Sequence, residues 1–141
     1  MKTVTTILLL LTMSIYTIAA EVSDEFLDRI ATIESGVDDS AINKSECAHG
    51  RYQIRAGYLA DANRILGSCY DLWDMHDPVI ARIVVTAYLK HYGLAYERRT
   101  GQPVTAEVLA RIHNGGPRGA EKNATLPYLA KFVGVAMEGT K

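Results

Sequence analysis

The stretch that decides the fold is IESGVDDSAINKSECAHGRYQI, residues 33–54. It starts where an apolar helical stripe ends, continues through a polar loop, and finishes in an aromatic-Gln-apolar segment. Glu34 follows Ile30 by four residues and Phe26 by eight, so all three lie on one face of the predicted helix. The carboxyl of Glu34 is therefore expected to point toward the core, one turn beyond the apolar stripe.

The position of Glu34 predicts an altered proton affinity for its carboxyl. It lies at the C-terminal end of its helix, where the macrodipole disfavours a negative charge, and burial disfavours that charge further. Both effects predict a raised pKa for Glu34, which is the property that a general acid needs near neutral pH. On this helix alone, an ordinary glutamate that reaches water is the alternative interpretation.

Length and composition predict one globular domain. The chain has 141 residues, and 48% of them are hydrophobic. This is enough for one domain with a hydrophobic core, and a second domain is not expected. The first 20 residues carry Lys2, an apolar run and small residues before Glu21, which is the layout of a secretory signal peptide. We therefore expect a signal peptide at 1–20, a single domain at 21–141 and export of the protein. The apolar run is too short for the roughly 20 residues of a membrane span, so stable membrane insertion is not expected.

Charge and cysteine content narrow the classes of partner. Removal of residues 1–20 takes away Lys2 and no acid, which leaves 14 basic against 16 acidic side chains. This balance argues against nucleic acid as a partner.

Cys47 and Cys69 are the two cysteines, and neither has another Cys or His at metal-ligand spacing, so no metal is expected. In an exported chain they are expected to form one disulfide across a loop of about 22 residues. The protein is expected to be a monomer.

Hydrophobic periodicity predicts a mainly helical chain. Apolar residues recur at helical spacing, and capping residues stand at the ends of the stripes. The third helix is apolar on most sides and is expected to be the central buried one. The polar stretch 37–51 is the best place for a small hairpin. The five predicted helices are SDEFLDRIATIES (23–35), AGYLADANRILG (56–67), HDPVIARIVVTAYLKHYG (76–93), TAEVLARIH (105–113) and TLPYLAKFVGVAM (125–137), with stops at Gly36, Gly67 and Gly93.

Four segments, in this order, resemble the lysozyme-like superfamily. They are ESG at 34–36, GRYQI at 50–54, ARIHNGGPRG at 110–119 and TLPYLAKF at 125–132. The chain looks most like invertebrate-type (destabilase) lysozymes and their cysteine-poor, bacterial-type relatives described as soluble lytic transglycosylase-like. The resemblance covers residues 26–133. It implies a mainly α fold of the α+β lysozyme-like kind, with a small hairpin beside the active-site cleft.

The resemblance also implies roles for individual residues. In that superfamily the glutamate that ends the first helix is the catalytic acid, which corresponds to Glu34. The aromatic-Gln-apolar segment lines the cleft, the NGG loop binds sugar near the cleaved bond, and the late tyrosine is part of the cleft wall. Tyrosines at such places could equally be core residues. The implied substrate-binding residues are Tyr52, Gln53, His113, Asn114, Gly115 and Tyr128.

The NGG loop supports this interpretation on its own chemistry. Gly115 and Gly116 permit the positive φ that a sharp turn after a helix requires. Such a turn exposes backbone amides and the Asn114 side chain to a ligand. A plain helix stop before a turn is the alternative.

The second carboxylate of the family has no single counterpart in this sequence. Invertebrate-type lysozymes use an aspartate about a dozen residues past the glutamate. Counting twelve from Glu34 reaches Glu46, whereas anchoring on Gln53 brings Asn43 or Lys44 to that place. A carboxylate about 5 to 5.5 Å from the acid predicts a retaining enzyme, and one at roughly 6.5 to 9.5 Å an inverting enzyme. The candidates are Glu46, with Asp38 and Asp39 as rivals, and each could instead be a solvated loop acid.

The resemblance implies a secreted glycosidase, extracellular or in a periplasmic or lysosome-like lumen. It would act as a lysozyme, or muramidase, on the β-1,4 bond between N-acetylmuramic acid and N-acetylglucosamine in peptidoglycan, without a cofactor. If no second acid is present, Glu34 alone could act as acid and then base. That is the scheme of a lytic transglycosylase, which forms anhydro-muropeptides. A non-catalytic protein that binds peptidoglycan or chitin is the alternative from another class, although a buried carboxylate without a role would cost stability.

Overall fold

The computed structural model describes residues 22–138, with side chains as far as residue 135. The predicted signal peptide, 1–20, lies outside the described residues. Among the helices described, none is long and apolar enough to cross a membrane. Short 3-10 helices cover Trp73–His76, Gly119–Glu121 and Asn123–Thr125. The main elements are α1 (Asp24–Ser35), β1 (Ile42–Asn43), β2 (Ala48–His49), α2 (Ala56–Leu66), α3 (Pro78–Thr100), α4 (Ala106–Gly115) and α5 (Leu126–Glu138).

Helix α1 has the ends that the sequence predicts. The Ser23 hydroxyl accepts a hydrogen bond from the Phe26 backbone N–H at 3.2 Å, and Gly36 ends the helix in the left-handed conformation with φ 69°. Phe26 and Ile30 are buried in the core. The predicted stripe is confirmed, and Glu34 follows it on the same face.

Helix α3 is longer than the sequence predicts. Asp77 caps its N-terminus and Pro78 takes the first helical position, as predicted. The predicted stop at Gly93 is wrong, because the helix continues and ends at Gly101. Helix α3 is buried on one side only, and its outer side exposes apolar residues such as Val79.

Gly93 serves the packing of two helices. It is buried within α3, and a Cβ added there would lie 3.1 Å from a methyl of Leu109 and 3.3 Å from a methyl of Val104. Contacts this short would require the neighbouring side chains to give way by a few tenths of an ångström. The missing side chain therefore lets α4 and the segment before it approach α3 closely.

The predicted hairpin forms within residues 37–51. Strands β1 and β2 are antiparallel, with Ile42 opposite His49 and Asn43 opposite Ala48. His49 also forms an isolated bridge with Ile54, just before α2. The hairpin is thereby joined to the segment that leads into α2.

A glycine and two histidines seat the hairpin on the 3-10 helix that follows α2. Gly50 has φ 71°, and a Cβ there would collide with the backbone carbonyl of Met75. His76 Nδ1 lies 2.7 Å from the carbonyl oxygen of Asp39, and its Nε2 lies 3.1 Å from His49 Nδ1. The hairpin is held by these contacts with the body of the protein.

The disulfide predicted between Cys47 and Cys69 is absent, since both are exposed free cysteines. Cys47 lies at the tip of the hairpin with φ 49°, and its sulfur is turned to the Lys44 carbonyl oxygen, 3.9 Å away. The Asn43 side chain closes the same tip by accepting hydrogen bonds from the backbone N–H and the hydroxyl of Ser45. The tip of the hairpin is thus closed by local hydrogen bonds.

Candidate active site

A cavity of about 530 Å³ lies between the helices, beside the segment that joins the hairpin to α2. This volume is in the range of small-ligand sites. In the described part of the chain, no three His, Cys, Asp or Glu side chains gather as a metal site. Five of the residues predicted for the site line the cavity: Glu34, Gln53, His113, Asn114 and Gly115.

The Glu34 side chain is held by groups from two other helices. Its Oε1 accepts a hydrogen bond from the Tyr128 hydroxyl of α5 at 2.8 Å. The same oxygen lies 3.4 Å from Nε2 of His113 on α4. The exposed fraction of the side chain is 18% for Glu34 and 4% for His113. The carboxyl is therefore fixed in position while it still reaches the cavity.

The pKa of Glu34 is lowered, so the predicted increase is wrong. Burial alone raises this pKa, as the sequence suggests, but the hydrogen bond and the charge of His113 lower it. The hydrogen bond from Tyr128 and the charge of Arg55 lower it further. These three groups come from α4, α5 and the residue before α2, so the sequence of α1 gave no sign of them.

Two stacked tyrosines stand behind His113. The Tyr58 hydroxyl lies 3.3 Å from His113 Nδ1, and the Tyr58 ring stacks on Tyr88 with centroids 3.6 Å apart and an interplanar angle of 16°. Burial raises the pKa of both phenols, so both stay protonated at physiological pH. Because Tyr58 and Tyr88 line the cavity, they form an aromatic wall for it.

Two of the candidate second acids have partners within the loop. Asp39 binds Arg51 through two contacts, Nε to Oδ1 at 2.5 Å and a terminal nitrogen to Oδ2 at 2.8 Å. Asp38 accepts hydrogen bonds from the backbone N–H and the hydroxyl of Ser40 at 2.8 and 2.7 Å. These bonds lower the pKa of both aspartates. Neither aspartate is among the residues that line the cavity.

Glu46 is paired with an arginine at the edge of the cavity. Its Oε2 lies 2.5 Å from a terminal nitrogen of Arg55, and both side chains are about half exposed. Arg55 lines the cavity, whereas Glu46 does not. Glu46 is therefore linked to the site through the arginine, and its carboxylate is not placed as a second acid on the cavity wall.

The two tyrosines predicted to line the cleft are placed differently. Tyr52 is 1% exposed and belongs to the hydrophobic core, so its predicted place in the cleft wall is wrong. Gln53, the next residue of the motif, lines the cavity. Its backbone adopts a positive φ of 51°, and its side chain donates to the Gly50 carbonyl oxygen at 3.0 Å. Tyr128 is 8% exposed and contacts Glu34 from behind without lining the cavity.

The NGG loop forms the opposite rim. Gly116 has φ 82° and ends α4, as predicted, but Gly115 remains helical. Gly115 is needed for space, because a Cβ there would collide with the Thr125 side chain. Its carbonyl accepts a hydrogen bond from Lys122 Nζ at 2.6 Å. This packing leaves Asn114 exposed at the rim of the cavity.

The side of the cavity that α2 provides has no counterpart in the sequence predictions. Asp61 lines the cavity, and its Oδ2 accepts a hydrogen bond from the Tyr92 hydroxyl at 2.8 Å. The signal that could have found it is spacing, since Tyr58 and Asp61 are three apart on one helix face directly after GRYQI. The cavity residues missed by the sequence predictions are Arg55, Gly57, Tyr58, Asp61, Tyr88, Gly116 and Pro117.

Curated relatives identify the family. No family model matches the chain. The lysozyme of Magallana gigas is 32% identical over 114 residues, which cover 79% of this chain and 79% of the relative. The chain belongs to the invertebrate-type lysozymes. The lysozyme of Meretrix lusoria is also 32% identical, over 109 residues that cover 76% of this chain and 84% of the relative.

Solved structures of invertebrate-type lysozymes share the fold. Tapes japonica lysozyme matches with a TM-score of 0.66 and 25% identity over 81% of this chain and 91% of that chain. Meretrix lusoria lysozyme, in complex with Aeromonas hydrophila PliI, matches with a TM-score of 0.66 and 28% identity over 81% and 90%. The predicted mainly α lysozyme-like fold is confirmed, and the protein is a glycosidase with lysozyme function.

Proposed function

We propose that this protein hydrolyses the β-1,4 bond between N-acetylmuramic acid and N-acetylglucosamine in peptidoglycan, with Glu34 as the general acid. The observation that carries the proposal is the place of the Glu34 carboxyl. It lines the cavity while Tyr128 and His113 fix Oε1 from behind. A carboxyl held in this way can give a proton to the glycosidic oxygen of a bound chain.

The proton on Glu34 moves in a balanced cycle. Glu34 gives it to the glycosidic oxygen as the bond from that oxygen to the anomeric carbon breaks. The sugar left behind has oxocarbenium character, and a water molecule adds to its anomeric carbon. The proton that this water releases returns to Glu34, which is then ready for the next bond.

The lowered pKa of Glu34 gives the reaction an acidic preference. A general acid acts only when protonated, and the protonated fraction of Glu34 in the free protein grows as the pH falls toward its pKa. Because kcat/KM reports groups of the free enzyme, we expect kcat/KM to decline as the pH rises above that pKa.

The other cavity residues suit a sugar chain. Gln53 and Asn114 offer amide groups for N-acetyl groups and hydroxyls. Asp61 offers a carboxylate acceptor for hydroxyl or N–H groups. We therefore propose that these three residues bind the glycan on either side of the cleaved bond.

A lytic transglycosylase is the second candidate, and one observation favours it. None of the three acids that the sequence offers as a second carboxylate lines the cavity; these are Asp38, Asp39 and Glu46. In the transglycosylase scheme Glu34 acts first as acid and then as base, and a hydroxyl of the sugar itself closes an anhydro ring. This product differs from the hydrolysis product by one water.

Mass spectrometry of fragments released from purified peptidoglycan tests the proposal and separates the two schemes. Fragments with reducing ends support the hydrolase, and anhydro ends support the transglycosylase. Glu34→Gln is the inactive control, and Glu46→Gln is the matched variant that should keep activity. Release of fragments by the Glu34→Gln protein would contradict the role of Glu34. A folded wild-type protein that binds the polymer but releases nothing would leave only the binding function.

A parallel assay with chitin oligomers tests whether the protein prefers peptidoglycan or chitin.

We also propose that the protein is exported and acts as a monomer. The charged and apolar pattern of residues 1–20 supports removal of this segment and a single domain at 21–141. Intact-mass measurement on protein from the culture medium, with light scattering of the same sample, tests both statements. An N-terminus near Glu21 and a monomer mass are expected. Retention of residues 1–20 or a dimer mass would contradict them.

A further inference from the structure

We infer that His113 is a positioning residue for Glu34: its imidazole presents an N–H to Oε1 and thereby controls whether the carboxyl carries a proton in the empty cleft. The inference deepens the proposed function and rests on it for its meaning in catalysis. The contact itself is a property of the folded protein and can be measured separately.

The two nitrogens of His113 face different kinds of partner. Nε2 lies 3.4 Å from Glu34 Oε1, and Nδ1 lies 3.3 Å from the Tyr58 hydroxyl. An ionised carboxylate only accepts hydrogen bonds, whereas a hydroxyl both donates and accepts. Opposite an ionised Glu34, Nε2 therefore carries the hydrogen, whether the ring is neutral or protonated. Nδ1 accepts from Tyr58 when His113 is neutral and donates to it when His113 is protonated.

The fold fixes the imidazole in this orientation. His113 lies in the last turn of α4, where the helix dipole favours a positive charge. Its side chain is almost fully buried, with Glu34 and Tyr58 as the partners of its two ring nitrogens. Tyr58 is in turn held by its stack on Tyr88 of α3. A buried donor held from two sides keeps its direction when the cavity empties or fills.

Each packed element contributes a group that faces the Glu34 carboxyl. Helix α5 contributes the Tyr128 hydroxyl, and the residue before α2 contributes the charge of Arg55. Helix α4 contributes His113, with Tyr58 of α2 behind it. His113 is held from two sides, with Nε2 at Glu34 and Nδ1 at the Tyr58 hydroxyl. Its imidazole is therefore placed to act on the proton affinity of the Glu34 carboxyl through a fixed contact.

The direct test is a titration of the Glu34 carboxyl in the folded protein. The ¹³C shift of the carboxyl carbon reports its pKa without any substrate. His113→Gln keeps a hydrogen-bond donor and removes the charge, whereas His113→Phe removes both. We expect the midpoint to rise in both variants, more for phenylalanine, and by about one pH unit or more there, which is a tenfold change in proton affinity. The decline of kcat/KM on peptidoglycan should move to higher pH by the same amount.

Two further variants separate positioning from general damage. Tyr58→Phe keeps the ring stack and removes the hydroxyl behind Nδ1, so we expect a smaller rise in the same direction. His91→Gln makes the same substitution at a histidine that packs edge-on against Tyr92 and does not line the cavity, and no rise is expected there.

An unchanged midpoint in folded His113→Phe protein would overturn the inference. If that variant does not fold, an unchanged midpoint in both His113→Gln and Tyr58→Phe would overturn it equally. Failure of the proposed function would give a different result. Glu34→Gln would then keep its activity, while the pKa of the wild-type Glu34 carboxyl would still depend on His113.

Discussion

The two sides of the cleft use acidic residues in opposite ways. On the helical side, Glu34 is mostly buried and contacts groups from α4 and α5, far away in the sequence. On the hairpin side, Asp38 and Asp39 bind Ser40 and Arg51 within the same loop region. The helical side holds a carboxylate at the cavity, and the hairpin side uses carboxylates to shape its own backbone.

This difference shows that residue type and spacing do not identify a second acid. Glu46 has the expected spacing from Glu34, yet its charge is matched by Arg55 in the half-exposed edge of the site. Asp61 has no such spacing and lines the cavity. Burial, the direction of the side chain and the partner that holds it distinguish an acid in the site from an acid in the loop.

The largest expected effect tests the helical side against the hairpin side directly. Glu34→Gln removes the proposed proton donor and should lower kcat on peptidoglycan by about 10² to 10⁴. Asp38→Asn, Asp39→Asn and Glu46→Gln, the matched amide variants, should stay within about threefold of wild type, since they alter surface contacts. Initial rates of fragment release from the same substrate compare all four. A loop variant as damaged as Glu34→Gln would place a second acid on the hairpin side.

The second effect asks whether Tyr52 belongs to the core or to the cleft. Because its side chain is fully buried, Tyr52→Ala should lower the free energy of unfolding by about 3 to 5 kcal/mol. Tyr52→Phe keeps the ring and should retain activity, with a cost of less than about 1.5 kcal/mol. Urea unfolding and peptidoglycan assays on both variants measure this. A Tyr52→Phe protein that is stable but inactive would show that the Tyr52 hydroxyl acts in the cleft.

A smaller effect concerns the ion pair that shapes the hairpin side. Asp39→Asn should lower the free energy of unfolding by no more than about 1 kcal/mol, because the pair is partly exposed and screened by solvent. Since the folded protein lowers the pKa of Asp39 below its ordinary value of 3.8, the stabilisation is present above that value and is lost as the pH falls through the lower folded value. Thermal unfolding of wild type and variant at pH 6 and pH 2.5 should show a larger difference at pH 6 than at pH 2.5. An equal difference at both values would mean that charge is not its cause.

The smallest expected effect concerns the two cysteines. With both thiols free and exposed, Cys47→Ser and Cys69→Ser should each change the free energy of unfolding by less than about 0.5 kcal/mol. A reducing agent should leave the Tm of the wild-type protein unchanged. A bridge across this loop would instead be worth roughly 3 kcal/mol and would be lost on reduction. Thermal unfolding with and without reductant distinguishes these outcomes.

The parts of the fold that follow from local sequence could be predicted. Ser23, Gly36, Asp77 and Pro78 set helix ends through bonds within a few residues, and the structure confirms each of them. Gly93 could not be understood in this way. Its effect depends on Leu109, sixteen residues away. Glycine can end a helix or make room for a neighbouring helix, and the sequence alone does not distinguish the two roles.

The candidate site shows the same limit. The direction of Glu34 toward the core follows from the helical spacing of α1, whereas its proton affinity depends on His113 and Tyr128. Tyr52 and Gln53 are neighbours in one motif, yet Gln53, with a positive φ, lines the cavity and Tyr52 lies in the core. Motif resemblance located the segments of the site, and tertiary contacts decided which side chains enter it.

The absent side chain at Gly93 links the packing of α3 to the helix that carries His113. Leu109 packs on Gly93 and stands one helical turn before His113 on the same face of α4. A single methyl at position 93 would press on the Leu109 side chain, which would have to give way by a few tenths of an ångström. Position 93 is therefore limited by the spacing between two helices, and alanine there would test how far α4 can move away from α3.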